Sequence, residues 1–179
     1  KQYPNGVVAA NGFNVRIGKG EFVYIVGPSG AGKSTFIKLI YREEKPTKGT
    51  VIVNGTTVST LKNSKVPFLR RNIGVVFQDF KLLPTLTVYE NVAFALEVIE
   101  EEPEKIRKRV MEVLQLVGLK HKARMFPDEL SGGEQQRVSI ARSIVNRPKV
   151  VIADEPTGNL DPETSWDIIN LFEKINRTG

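Results

Sequence analysis

Three stretches of this sequence carry residue types that could handle phosphate. Gly27-Pro28-Ser29-Gly30-Ala31-Gly32-Lys33-Ser34 fits the pattern G-x-x-x-x-G-K-[ST]. Glycines let successive backbone N–H groups turn inward around phosphate oxygens without Cβ clashes. Lys33 can reach the β/γ-phosphates of a nucleoside triphosphate, and the Ser34 hydroxyl suits the octahedral oxygen shell of Mg²⁺. Candidate nucleotide contacts are therefore Gly27, Ser29, Gly30, Ala31, Gly32, Lys33, Ser34 and Thr35. The competing reading is a chance Gly-rich turn, which a strand before the loop and a helix after it disfavour.

The second stretch, Val150-Val151-Ile152-Ala153-Asp154-Glu155, sets two carboxylates at the carboxyl end of an apolar run. Ligands of open α/β sheets sit at that edge. Asp154 is placed to hold Mg²⁺ through its water shell, and Glu155 to polarise an attacking water. Read alone, such a pair is more often an ordinary strand-exit turn; beside a phosphate loop the site reading prevails. The third stretch is Leu130-Ser131-Gly132-Gly133-Glu134-Gln135-Gln136. Ser131 and Glu134 have capping-box spacing, so a well-capped helix explains them. Glycine in a first turn costs about 1 kcal/mol relative to Ala. The pair Gly132-Gly133 therefore suggests backbone N–H groups that must approach an anion closely.

The elements that must position these residues alternate. Residues 22–26 form a short β-rich apolar run leading into the loop, and residues 34–40 follow as a helix. Residues 50–53 and 56–58, split by Asn54-Gly55, read as a hairpin. Residues 73–77 are a buried-strand candidate. Thr87 with Glu90 opens a helix to about Ile99. Pro103 suits the first turn of the next helix, whose stripe is Ile106, Val110, Val113, Leu114 and Val117, with Gly118 as the stop. A helix from Ser131 to about Asn146, a strand over 150–153 and a last helix over about 163–176 complete the series. The expected class is α/β around a mostly parallel sheet.

Composition bounds the chemistry. The chain of 179 residues has no cysteine, which excludes disulfides and thiolate sites, and one histidine, His121, which excludes a polyhistidine metal cluster. No apolar run is long enough to span a bilayer and no signal-peptide pattern is present, so a soluble, cytosolic chain is expected. The net charge of +6 permits contact with nucleic acid or an anionic membrane without demanding it. Basic clusters at 62–71, 105–109 and 120–124 show no interleaved aromatic stacking pattern, so a nucleic-acid partner is not expected.

Taken together and in this order, the three motifs resemble the nucleotide-binding domain of an ABC-type ATPase, over essentially the whole chain. The resemblance implies a P-loop core with an inserted helical subdomain and a small antiparallel β subdomain. Residues 1–86 would hold the β subdomain and the first part of the core, 87–137 the helical subdomain with the signature, and 138–179 the return to the core. It also implies cofactors ATP and Mg²⁺, and a head-to-tail dimer in which Ser131 and Gly133 close on the ATP of a second copy. Gln78 resembles the Q-loop glutamine that reaches Mg²⁺ and the attacking water. Asn159-Leu160-Asp161 resembles the D-loop, and Tyr3 the aromatic that stacks on adenine. Each also has a plain alternative: a surface turn for Gln78, a helix N-terminus for Asp161-Pro162, and a half-buried loop aromatic for Tyr3.

Residues 153–161 resemble the group that holds cell-division, lipoprotein-release and macrolide-export ATPases. Residues 61–71, 77–83 and 87–92 resemble its cell-division branch. That implies an integral membrane partner docking between Gln78 and Ile99, with Phe80, Leu82, Leu83 and Tyr89 as candidate contacts, on the cytoplasmic face of a bacterial plasma membrane. Two features depart from the pattern. His121, before the signature, cannot be the family's switch histidine, and the usual first strand is not seen ahead of Lys1, so the resemblance implies a domain trimmed at both ends. A nucleotide-gated scaffold with little turnover is the alternative these departures leave open.

Overall fold

The computed structural model describes residues 1–178. In chain order the elements are α1 (Lys33–Ile40), a hairpin of β1 (Ile52–Val53) and β2 (Thr56–Thr57), α2 (Val66–Arg70), β3 (Ile73–Val76), α3 (Val88–Glu97), α4 (Pro103–Leu116), α5 (Gly132–Ile144), β4 (Val150–Ala153) and α6 (Pro162–Thr178). They fall into two compact units: Lys1–Arg70 with the residues from Asn176 onward, and Arg71–Ile175.

In the first unit, α1 buries Ile37 and Leu39, and the hairpin turns at Asn54-Gly55, where both residues have positive φ (46° and 75°). The antiparallel register is Ile52 with Thr57 and Val53 with Thr56. Buried Arg42 ties the helix end to the hairpin, donating from Nε to the Val58 carbonyl at 3.0 Å and from its terminal nitrogen to Leu61 at 3.2 Å. Arg70 of α2 in turn donates to the Tyr41 carbonyl at 3.0 Å. The strand expected over 22–26 is not formed. These residues make no ladder, and their side chains are exposed, from 38% for Phe22 to 87% for Val26. β-branched composition favours an extended backbone, but a strand exists only where a neighbour completes its hydrogen bonds.

The second unit is built on a parallel pair, Ile73 opposite Val150 through Val76 opposite Ala153. Parallel strands need a crossover, and the chain between them supplies α3, α4 and α5. Val76, Val92, Val110, Leu114, Val138, Ile140 and Ile168 form the centre of its core, all fully buried. Gly74 permits α5 to lie on β3, since a Cβ there would overlap the Ser143 carbonyl oxygen.

Capping residues set the helix starts. Thr87 accepts from the Glu90 N–H at 3.3 Å while its own N–H donates to the Glu90 carboxylate at 2.7 Å, closing the box that opens α3. Pro103 occupies the first turn of α4. The helix stops where Gly118 takes φ +78° and Leu119 donates back to the Leu114 carbonyl at 2.8 Å. Arg109 of α4 then donates to the Val145 and Ile144 carbonyls at 3.1 and 3.3 Å, satisfying acceptors at the end of α5. Fully buried Asn91 binds the preceding loop through the Leu83 N–H and the carbonyls of Leu83, Leu86 and Thr87, all within 2.8–3.0 Å. No helix among the described residues is long and apolar enough to cross a membrane.

Candidate functional site

The phosphate loop lies in the first unit. Gly30 and Gly32 have φ of +78° and +90°, which L side chains rarely adopt. Gly32 also needs the room, because a Cβ there would overlap the Ala9 carbonyl oxygen. It is the N-cap of α1 and carries no side-chain cap, and its carbonyl accepts the Phe36 N–H at 2.8 Å as the helix begins. Lys33, the first residue of α1, folds back over the loop, its Nζ donating to the Gly27 and Pro28 carbonyls at 2.9 and 3.1 Å. Tyr3 joins this group: its hydroxyl lies 3.3 Å from Thr35 Oγ1, and the Lys1 ammonium covers one face of its ring at 4.8 Å from the centroid.

The other motifs meet in the second unit. β4 ends as expected, with the Asp154 N–H donating to the Val76 carbonyl at 2.9 Å. Asp154 is half-buried and Glu155 exposed. Glu155 takes φ +47°, a left-handed conformation that costs a non-glycine residue about 1–3 kcal/mol and lifts its side chain out of the strand's alternation. The turn is held from both ends. Its Glu155 carbonyl accepts from the Gly158 N–H at 3.0 Å, and buried Gln136 of α5 donates to the Pro156 carbonyl at 2.6 Å. Gln136 Oε1 is buried without a hydrogen-bond partner. No motif role falls to Gln136 in the sequence. The signal was a polar residue in the stripe Gly133, Gln136, Ile140, Ile144, which the helix buries.

α5 begins as its sequence predicts. The Ser131 hydroxyl accepts from the Glu134 N–H at 3.3 Å and the Ser131 N–H donates to Glu134 at 3.0 Å. Lys122 reaches the same carboxylate at 2.6 Å. That lysine, with the Ser131 bonds, holds the Glu134 carboxyl below its ordinary range. The cap's contribution is thus complete above the ordinary pKa near 4.5 and fades only as pH falls through the lower folded value.

One of the two signature glycines, Gly133, has a reason within the chain. A Cβ on Gly133 would overlap Thr164 Cγ2 of α6, and one on Gly132 would lie 3.4 Å from Leu160 Cδ2. Close packing of α5 against α6 therefore requires Gly133, whereas Gly132 has room for a Cβ in ordinary contact with Leu160. Gly133→Ala should lower stability by about 1–3 kcal/mol through overpacking. Thr164→Ser, which removes Cγ2, should restore the melting temperature. If turnover then stays low in the stable double variant, Gly133 also serves a ligand.

Gln78 is exposed two residues beyond β3. Its Nε2 donates to Asn159 Oδ1 at 3.4 Å, and Asn159 Nδ2 donates to the Gln78 carbonyl at 3.3 Å. The loop that follows runs through two left-handed residues, Phe80 (φ 59°) and Lys81 (φ 51°). Arg142 of α5 clamps it, donating to the carbonyls of Lys81 at 2.7 Å and Phe80 at 2.9 Å. Burial pushes the Arg142 guanidinium below its usual pKa. Nothing local in the sequence marks Arg142, because its acceptors lie far away along the chain. Asp161 accepts from the Thr164 N–H at 2.9 Å and starts α6; Thr164, through hydroxyl and N–H, holds the Asp161 carboxyl below its ordinary value.

Of the expected docking residues, Phe80 is half-buried, Leu82 and Tyr89 pack against the core and Leu83 is exposed, as are Phe94 on α3 and Val98 just past its end. His121 is exposed in a single 3-10 turn. Two shallow surface depressions, one at Val117, Arg137 and Lys174 and one along α4 at Arg107 and Met111, include none of the phosphate-handling residues. Within the second unit, Asp154 and Gln78 offer carboxylate and amide oxygens, and in the first unit Ser34 offers a hydroxyl, all donor types that a hard cation such as Mg²⁺ takes. Among the described residues there is no cluster of three His, Cys, Asp or Glu that could hold a metal ion.

Comparison with known proteins agrees with this chemistry. Residues 10–158 match the pattern of the ABC transporter family. The cell division ATP-binding protein FtsE of Bacillus subtilis is 72% identical over all of this chain and 78% of its own length. The FtsE of Escherichia coli K12 is 50% identical over all of this chain and 81% of its length. Among solved structures, the ATP-binding cassette MJ0796, a dimer bound to ADP and Pi, superposes with a TM-score of 0.80 at 42% identity over 91% of this chain and 72% of its own. CbiO1 from Clostridium perfringens, part of the transporter complex cbiONQ, superposes with a TM-score of 0.92 at 33% identity over 99% of this chain and 71% of its own. The chain belongs to the ABC transporter family, as one of its ATP-hydrolysing cassettes.

Proposed function

We propose that this chain is the ATPase subunit of a membrane-anchored cell-division complex. The observation that carries the reading is 72% identity to an FtsE across the whole chain, with every phosphate-handling motif present. Relatives named for cell division favour it over the lipoprotein-release and macrolide-export alternatives.

In this reading the phosphate-loop N–H groups and Lys33 bind the β- and γ-phosphates of ATP, and Tyr3 supports the adenine. Ser34, Asp154 and Gln78 would hold Mg²⁺, which when bound offsets charge on the phosphate oxygens. Glu155 accepts the proton of the attacking water, and Gln78 orients that water. Ser131 and Gly133 of a second copy complete the site, so hydrolysis follows head-to-tail dimerisation. The dimers of MJ0796 support that arrangement. ATP-driven closure is then passed to an integral membrane protein of the FtsX kind at the cytoplasmic face of the bacterial membrane.

Arg142, gripping the loop after Gln78, makes that loop a stiff link between the membrane partner and the signature helix. The docking surface lies between Gln78 and Ile99, where Leu83, Phe94 and Val98 expose apolar area at 37%, 45% and 57%. Phe94→Arg should reduce co-purification with a co-expressed FtsX-type partner by about tenfold, the cost of removing one apolar anchor. ATP turnover of the isolated protein should stay unchanged. Undiminished co-purification would place the partner elsewhere.

A further inference from the structure

We propose that Asn159 is a positioning residue that sets which end of the Gln78 carboxamide is presented to the metal. A carboxamide has a donor end and an acceptor end of nearly equal size, and only the oxygen can ligate a hard cation. Something must choose between the two orientations. Asn159 does so in two linked steps. Its Nδ2 donates to the main-chain carbonyl of Gln78 at 3.3 Å, and a carbonyl can only accept. That bond fixes the Asn159 flip and turns its Oδ1, also only an acceptor, toward the Gln78 side chain. Gln78 must then meet Oδ1 with its amino end, and Nε2 does so at 3.4 Å. The oxygen end is left for Mg²⁺ and water.

The backbone prepares the contact. β3 and β4 are hydrogen-bonded to their last residues, so the loops leaving Val76 and Ala153 start side by side. Gly158 lets the second loop close on Gln78, because a Cβ there would stand 2.7 Å from Nε2 and 3.2 Å from Cδ. Gln136 anchors the same loop at Pro156 from inside the unit.

This inference rests on Gln78 as a metal ligand, and the test separates the two. The full chain, bound to a non-hydrolysable ATP analogue, is titrated with Mn²⁺ and free ion is read by electron paramagnetic resonance. Net hydrogen bonds of about 0.5–1.5 kcal/mol correspond to roughly threefold to tenfold. Asn159→Ala should therefore weaken Mn²⁺ binding threefold to tenfold, with analogue affinity in EDTA unchanged. Gln78→Ala should weaken it at least as much, and adding Asn159→Ala to Gln78→Ala should change nothing further. Both side chains are exposed, so the variants should keep the wild-type melting temperature. Unchanged Mn²⁺ affinity in Asn159→Ala alone, or additive losses in the double variant, overturns the positioning role while leaving Gln78 a ligand. Unchanged affinity in Gln78→Ala overturns the ligand assignment itself.

Discussion

Glu155→Gln should lower ATP turnover by about 10²–10⁴-fold, the usual worth of a general base, while nucleotide affinity stays near wild type. The substitution keeps size and shape but removes the carboxylate's capacity to take a proton. In the proposed reading Asp154, half-buried just beyond β4, would hold the metal, and a carboxylate so engaged is a poor base. Glu155 is the exposed neighbour, turned out of the strand by its left-handed backbone and held there by the Gly158 and Gln136 hydrogen bonds. None of those bonds involves the Glu155 side chain, so the exchange should leave the turn intact. Single-turnover phosphate release, paired with a titration of fluorescent ATP, measures the two quantities separately. Turnover within threefold of wild type would remove Glu155 from the mechanism and leave the scaffold alternative weakened as well.

Lys33→Ala should lower ATP affinity by at least about 100-fold. Hydrogen bonds to charged groups contribute about 1.5–3 kcal/mol each, and an ammonium spanning two phosphates makes two of them. The ammonium is already held above the loop by the Gly27 and Pro28 carbonyls at 2.9 and 3.1 Å, and exchanging those neutral acceptors for phosphate oxygens moves it little. The same two bonds tie Lys33 to its own loop, so a fold check accompanies the binding measurement: circular dichroism should show α1 retained, because its buried contacts are Ile37 and Leu39. Equilibrium binding of ATP in the presence of Mg²⁺ reads the effect. Retained micromolar affinity would contradict the phosphate-loop assignment.

Much of the second unit was legible before any coordinates. Thr87 with Glu90 and Ser131 with Glu134 announce helix starts because a cap is satisfied by residues three apart, and both boxes are formed. Pro103 and Gly118 bracket α4 for equally local reasons. The apolar runs at 73–77 and 150–153 became β3 and β4. The run at 22–26 has the same composition and did not become a strand, because pairing depends on what lies beside it. Distance along the chain hid the rest. Arg142 meets Phe80 and Lys81, Gln136 meets Pro156, and Asn159 meets Gln78, all pairs that only the fold brings together.

What the sequence determined by itself was the set of residue types suited to the chemistry: glycines and a lysine that suit phosphate, oxygen donors that suit a hard cation, and a second carboxylate that suits a water. Those functions follow from residue type and short spacing, which backbone geometry translates directly into a turn or a cap. The tertiary structure decided orientation and restraint. It assigned Gly133 to close packing against Thr164, put Glu155 in a left-handed turn, and faced Gln78 with Asn159. Each of these depends on the space left by elements far away in sequence, and excluded volume between such elements is not written in any local pattern.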